Sequence, residues 1–176
     1  MRRFRFRNLV SAAVALAVSA CGFQPLYGVG NGGSAATAPG ARLASIYIEP
    51  IPERVGYQLR NDLVDLFRAQ TQGEGAAYRL KLVLRERKDG VALQTDASIT
   101  RYNYALIAHY ELTPAGATTP VRTGEVNALS SYNVATSPFA TVIAERDASD
   151  RAANDIAERL RTELAVYFRD VGSDPQ

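Results

Sequence analysis

Tyr78-Arg79-Leu80-Lys81-Leu82-Val83-Leu84-Arg85-Glu86-Arg87-Lys88 alternates apolar and charged side chains almost without a break. A β-strand sends successive side chains to opposite faces. Tyr78, Leu80, Leu82 and Leu84 therefore share one face, and Arg79, Lys81, Arg85 and Arg87 share the other; Val83 alone breaks the rule. The pattern predicts a strand in a sheet with one buried face and one wet, basic face. A slip of one residue would exchange the two faces, so the register is strongly fixed.

Downstream, Asp89-Gly90 signals a turn or bulge. Ser98 to Thr113 is a second long strand, with Tyr102, Tyr104, Leu106, Ala108, Tyr110 and Leu112 on one face and Arg101, Asn103, His109 and Glu111 on the other. Pro114 to Pro120 is a loop, and Val121 to Val134 is a more polar strand suited to a sheet edge. Upstream, Leu43 to Glu49 reads as a short strand ended by Pro50 and Pro52. Between them, Val55, Leu59, Leu63, Leu66 and Phe67 form one helical stripe, predicting a helix from about Pro52 to Gln70 that Gly73 and Gly75 stop. At the C-terminal end, Ser137-Pro138 reads as an N-cap and a first-turn proline. The helix it opens runs to about Asp170, with Ile156, Leu160, Leu164, Tyr167 and Phe168 as its stripe and Ala152, Ala153 and Ala157 as a thin flank. Residues 145–151 are mostly charged and predict that the first half bends or stands free.

Strand–helix–strand makes the first two strands parallel with a right-handed crossover, and the second, third and fourth strands, consecutive in the chain, make an antiparallel meander. The expected fold is α+β, a two-layer sandwich: a mixed four-stranded sheet in the order β-α-β-β-β-α, with both helices on one face. The expected core is Leu59, Leu63, Phe67, Leu80, Leu82, Leu84, Tyr104, Leu106, Ile156, Leu160 and Leu164.

The N-terminal region follows different rules. Arg2, Arg3, Arg5 and Arg7 precede an apolar run from Leu9 to Ala20, which reads as a signal peptide. The run would be about 18 Å long as a helix, short of a bilayer core of roughly 30 Å. Val18-Ser19-Ala20-Cys21 resembles a bacterial lipobox, where lipid is attached to the cysteine thiol and the chain is cut just before it. The alternative is a free thiol in an ordinary signal peptide, a liability in an oxidising compartment. Gly22, rather than Asp, after the cysteine implies by that resemblance an outer-membrane destination. Residues 1–20 are thus the signal, 21–41 the lipidated start and a Gly/Ala/Ser-rich flexible tether, 42–170 one α+β domain, and 171–176 a disordered tail.

Cys21-Gly22-Phe23-Gln24-Pro25-Leu26-Tyr27-Gly28 resembles the start of the mature LPS-assembly lipoprotein, the LptE family. Ser137-Pro138-Phe139-Ala140, followed by Ala144-Glu145-Arg146-Asp147-Ala148, is similar to the C-terminal part of the same family. The resemblance implies a lipid-anchored protein on the periplasmic side of the outer membrane, partnering and partly filling the β-barrel LPS translocon, with lipopolysaccharide as cargo. A lipid-anchored accessory lipoprotein of another envelope transport system is the alternative.

Charge and motifs narrow the remaining classes. The chain has 20 basic and 18 acidic residues; without the four signal arginines the remainder is 16 against 18, a net −2. No basic excess is left to neutralise phosphates, which argues against a nucleic-acid partner. Gly28-Val29-Gly30-Asn31-Gly32-Gly33 matches G-x-G-x-x-G formally but lacks the flanking strand and helix that the dinucleotide motif needs. The single histidine, His109, lies in mid-strand; a pH switch is one reading and a solvated strand residue the other. No metal-ligand spacing, P-loop or G-x-S-x-G motif occurs, so the expectation is a non-enzyme without cofactor or metal. The candidate contact surface is the basic strand face: Arg79, Lys81, Arg85 and Arg87, with Arg101 and Lys88 as possible neighbours. It could hold LPS phosphates, face the polar lumen of a barrel, or simply be solvated.

Overall fold

The computed structural model describes residues 39–69, 73–93 and 99–173. The signal, Cys21, the tether up to residue 38 and residues 174–176 lie outside them, as do 70–72 and 94–98. The described elements are α1 (Pro39–Ala44), β1 (Ile46–Ile48), α2 (Glu53–Phe67), β2 (Tyr78–Leu93), β3 (Ile99–Pro114), β4 (Arg122–Asn133) and α3 (Pro138–Ser173).

Alternation in β2 and β3 sets the architecture. The two strands pair antiparallel from Tyr78↔Pro114 to Leu93↔Ile99, and β4 pairs antiparallel with β3 from Leu112↔Arg122 to Arg101↔Asn133. β1 pairs parallel with β2 through Ile46↔Tyr78 and Ile48↔Leu80, giving the sheet order β1-β2-β3-β4. The even-numbered side chains of all four strands face the helices: Ile46, Ile48, Leu80, Leu106, Ala108 and Leu112 are fully buried. The odd-numbered ones face away, with Val83 51% exposed between buried Leu82 and half-buried Leu84. The fold is therefore the α+β sandwich expected, with a mixed sheet and its helical layer on one face.

The long helix packs closely because its inner face is small. Ala148, Ala152, Ala153, Ile156, Ala157, Leu160 and Leu164 are fully buried, one turn after another. Opposite them the sheet supplies Tyr104, Tyr110 and Tyr132, each no more than 7% exposed. Large side chains on the sheet fill what small ones on the helix leave, as close packing requires. Two of the tyrosine hydroxyls reach the helix at its rim: Tyr110 donates to Glu163 Oε1, and Tyr132 donates to Glu145 Oε2 at 3.3 Å. Burial and Glu145 push the Tyr132 hydroxyl up to about 12. Burial, with Glu86 nearby, also pushes the Tyr104 hydroxyl well up; it has no hydrogen-bond partner among the described residues. At the C-terminal end, Tyr78 packs on Phe168 with ring centroids 5.1 Å apart, and Arg42 of α1 donates to the Phe168 carbonyl at 3.5 Å.

Several boundaries differ from the sequence reading, each for a local reason. The strand expected from Leu43 starts only at Ile46, because Pro39–Ala44 forms a helix whose Leu43 is buried; the domain thus begins inside the expected tether. Pro52 is the N-cap of α2 rather than a first-turn residue. That helix ends at Phe67 instead of reaching Gln70, because Arg68 turns left-handed at φ 53° and Ala69 N–H returns to Val64 O at 2.9 Å. Asp89-Gly90 does not end β2: the strand continues to Leu93 with register shifts on either side of Ala92, the bulge alternative. The final helix is continuous through residues 145–151. Its charges face outward while Ala148 and Ser149 are buried, and it continues through Val171-Gly172-Ser173, which the sequence reading gave to a disordered tail.

α2 lies beside α3, and Arg54 bridges them by an ion pair to Asp150 at 2.7 Å. Between these helices and the end of β4 is an open depression of about 640 Å³ lined by Asp62, Asp147, Asp150 and Asp155. Burial raises the Asp62 carboxyl above its ordinary 3.8, and the negative charges of Asp65 and Asp150 add to this. Its Oδ1 accepts from Gln58 at 2.9 Å, which opposes the shift.

Two measurements check this packing. Leu82→Ala should lose about 2–5 kcal/mol in urea denaturation, whereas Val83→Ala should lose less than about 0.5 kcal/mol as a surface change; a larger loss at Val83 than at Leu82 would mean inverted strand parity. A raised carboxyl pKa means the native state binds the proton more tightly, so the stability this group contributes is present below about 3.8 and is lost as pH rises through its folded value. Asp62→Asn, which keeps an acceptor for Gln58, should therefore melt above the parent at pH 7, and the gap should close as the pH falls below the ordinary carboxylate range. A variant less stable at pH 7 would contradict it.

Candidate functional site

The face of the sheet away from the helices is the surface left uncovered by the described elements. Residues in one strand row sit two apart, about 6.6–6.8 Å along the strand. Arg79, Lys81, Arg85 and Arg87 all project there from β2, as the alternation predicts, and all are exposed. Arg101 joins them from β3, donating to Ser131 Oγ at 2.8 Å across to β4. Lys88 does not. Its even position places it on the helical side, where its ammonium pairs with Glu145 of α3.

Acids lie among the bases, from β3 and the end of β1 and from β2 itself. Arg79 Nε lies 3.5 Å from Glu49, Lys81 Nζ 3.8 Å from Glu111, and Arg87 Nε 2.9 Å from Asp89. His109 Nδ1 stands 3.3 Å from Glu125 on β4. The surface is therefore a lattice of opposite charges rather than a bare cationic row. Each exposed pair is worth only about 0–1 kcal/mol, so these partners are exchangeable for others on contact. Among the described residues, Arg85 of this row makes no ion pair, and it stands at the centre.

Arg85 is bordered by an apolar diagonal that the strand-by-strand reading missed. Val83 pairs with His109, Ile107 with Arg85 and Asn127, and Leu129 with Ala105. Val83, Ile107 and Leu129 are therefore successive diagonal neighbours, at about 7–8 Å spacing. Val83 is 51% and Leu129 65% exposed. The one detectable signal was Val83, the residue out of pattern in β2. A shallow hollow of about 290 Å³ opens beside it, lined by Lys81, His109, Glu111 and Thr123 among others. Mixed charge with an apolar seam suits docking against another polar, partly apolar surface.

Among the described residues no group of three or more His, Cys, Asp or Glu side chains is placed to hold a metal ion. Likewise, no described helix is long and apolar enough to cross a membrane. Cys21 lies outside the described residues.

Comparison with known proteins agrees with this geometry. No curated protein matches the chain. Among solved structures it is similar to a lipoprotein of Caulobacter crescentus CB15, at 26% identity and a TM-score of 0.63, covering 74% of this chain and 96% of that one. It also shares its fold with a minor lipoprotein of Acinetobacter baumannii (14% identity, TM-score 0.54, 70% and 92% covered). Rare lipoprotein B of Shewanella oneidensis has the same fold (9% identity, TM-score 0.56, 72% and 96% covered). The model of the lipopolysaccharide-assembly family LptE matches residues 43–164, which run from the last turn of α1 to Leu164 of α3. The chain belongs to the LptE family of lipopolysaccharide-assembly proteins.

Proposed function

We propose that this protein is an outer-membrane lipoprotein, anchored through lipid on Cys21 at the periplasmic side, that partners and plugs the β-barrel translocon delivering lipopolysaccharide to the cell surface. Membership of the LPS-assembly family over residues 43–164 carries this reading. The fold supplies the means: a sheet whose helices sit on one side and whose other side presents paired charges around Arg85. The interior of a membrane β-barrel is polar, and a lattice of exchangeable ion pairs can meet such a wall without burying an unpaired charge. Arg85, with no acidic partner among the described residues, is the group best placed to take a phosphate, since a guanidinium binds phosphate bidentately. A non-enzymatic role fits this picture, because the work is holding and positioning. One lipid chain alone gives marginal membrane binding, so a multiply acylated Cys21 is the anchor the assignment needs.

The test combines anchor and face. Mass spectrometry of the mature protein should find an N-terminal, lipid-modified Cys21. Arg79, Lys81 and Arg85 changed together to Glu should leave the circular dichroism spectrum intact, as exposed charges cost little, while co-purification of the β-barrel or binding of LPS falls at least severalfold. A folded triple variant with both undiminished would show the face to be solvated surface only, and cleavage away from Cys21 would remove the anchor.

A further inference from the structure

β4 is the outermost strand of the sheet, with β3 on one side and no described strand on the other. The Val134 N–H donates to Thr100 O at 2.9 Å, which fixes the parity of its main chain. Even-numbered residues of β4 turn their N–H and C=O groups toward β3, and odd-numbered ones turn theirs outward. Arg151 of α3 meets one outward group, donating to Ser131 O at 3.2 Å. The outward main-chain groups of Thr123, Glu125, Asn127 and Leu129 have no partner among the described residues. They form a row of donors and acceptors that repeats about every 6.8 Å.

Open edges are normally blunted by lysine, proline, a bulge or a covering element. The opposite side of the sheet has such devices: β1 covers β2 as far as Leu80, and the β2–β3 register shifts between Gly90 and Leu93. From Thr123 to Leu129 β4 has no lysine and no proline, and its pairing with β3 runs without a shift. Its charge there, Glu125, is turned to His109 at 3.3 Å. The apolar diagonal of Val83 and Ile107 also ends at this edge, on Leu129, which is 65% exposed. The next place on that diagonal lies on a strand that the described elements do not supply.

Alternating main-chain donors and acceptors at this repeat are matched, in chemistry and in spacing, by another extended main chain. A second copy of this chain fits poorly. α3 runs the length of β4, from Glu145 beside Tyr132 to Glu163 beside Arg122. Two β4 strands paired edge to edge would stand about 4.8 Å apart, crowding two α3 helices that need roughly 8–10 Å between axes. The strand that fits brings no helix of its own over this edge.

We propose that the outer edge of β4, from Thr123 to Leu129, takes up one extended strand of a different protein, which continues the sheet and sets an apolar side chain beside Leu129. Strand addition here is separate from docking on the open face and holds whichever protein supplies the strand. The experiment uses the full-length lipidated protein, in the cells that make it, with a photoreactive benzophenone residue placed in turn at Thr123, Glu125, Asn127 and Leu129. The side chains of these odd-numbered positions lie on the open face, so the edge itself stays intact. The expected result is adducts to one segment of one other protein, the linked residue moving two places along that segment at each step. Asn127→Pro removes an outward N–H and leaves the β3 ladder whole, and it should cut the adduct from Leu129 about tenfold. Asn127→Ala, which changes only a surface side chain, should stay within about twofold of the parent. The stepped pattern supports strand addition whether the segment belongs to the barrel or to another protein. Adducts to a second copy, to lipid, or to scattered sites overturn the proposal, as does the absence of any adduct. A folded Asn127→Pro protein that links as the parent does overturns it too. Should Asn127→Pro fail to fold, the stepped pattern decides alone.

Discussion

The structure depends on the contact between an alanine-lined helix face and a layer of tyrosines. Ala148, Ala152, Ala153 and Ala157 allow α3 to lie close to β3 and β4, and Tyr104, Tyr110 and Tyr132 fill the space this leaves. Neither side would pack well against a conventional partner: leucines on the helix would collide with the tyrosines, and alanines on the sheet would leave voids. The tyrosine hydroxyls then need outlets, and Glu163 and Glu145 at the helix rim receive two of them. Because this contact satisfies the helical layer on one side, nothing in the chain's described elements is left to cover the other.

That one-sidedness links packing to function. A four-stranded sheet with one face bare is soluble only if the bare face is polar, and the alternation in β2 and β3 provides this. Yet the face is more than polar. Its bases and acids are interleaved across strands, Arg79 with Glu49, Lys81 with Glu111, His109 with Glu125. Interleaving keeps the surface near neutral and lets each charge trade its neighbour for a partner at modest cost. Val83, Ile107 and Leu129 add an apolar seam where desolvation is cheap. The combination is that of an interface rim and core on one strand layer.

Much of this was legible because period-2 patterning is a local signal. The parity of β2 and β3, the stripe of α2 and the buried run of α3 follow from residue spacing alone. What was illegible depends on pairing between segments. The neutralisation of the basic row needs Glu111 and Glu125 to fall opposite Lys81 and His109, which only the register establishes. Lys88 was grouped with the wrong face because it directly follows Arg87 in a basic run, although its parity puts it with Leu84. The early helix at Pro39–Ala44 was hidden in a tether-like composition and is held by tertiary contact of Arg42 with Phe168. Arg68 ended α2 in a left-handed conformation usually left to glycine, so the later Gly73 drew the boundary too far downstream. The terminal cysteine motif, by contrast, is read from sequence alone.

The helical layer supports the sheet, and the open face is the surface proposed to meet a β-barrel partner. Carbene footprinting of the domain, free and in complex with the co-purified outer-membrane β-barrel, measures this directly. Labelling at Val83, Arg85 and Leu129 should fall sharply in the complex, while exposed Arg159 and Val166 on the outer side of α3 lose much less. Equal labelling of Val83, Arg85 and Leu129 in both states, with protection confined to the outer side of α3, would contradict the account.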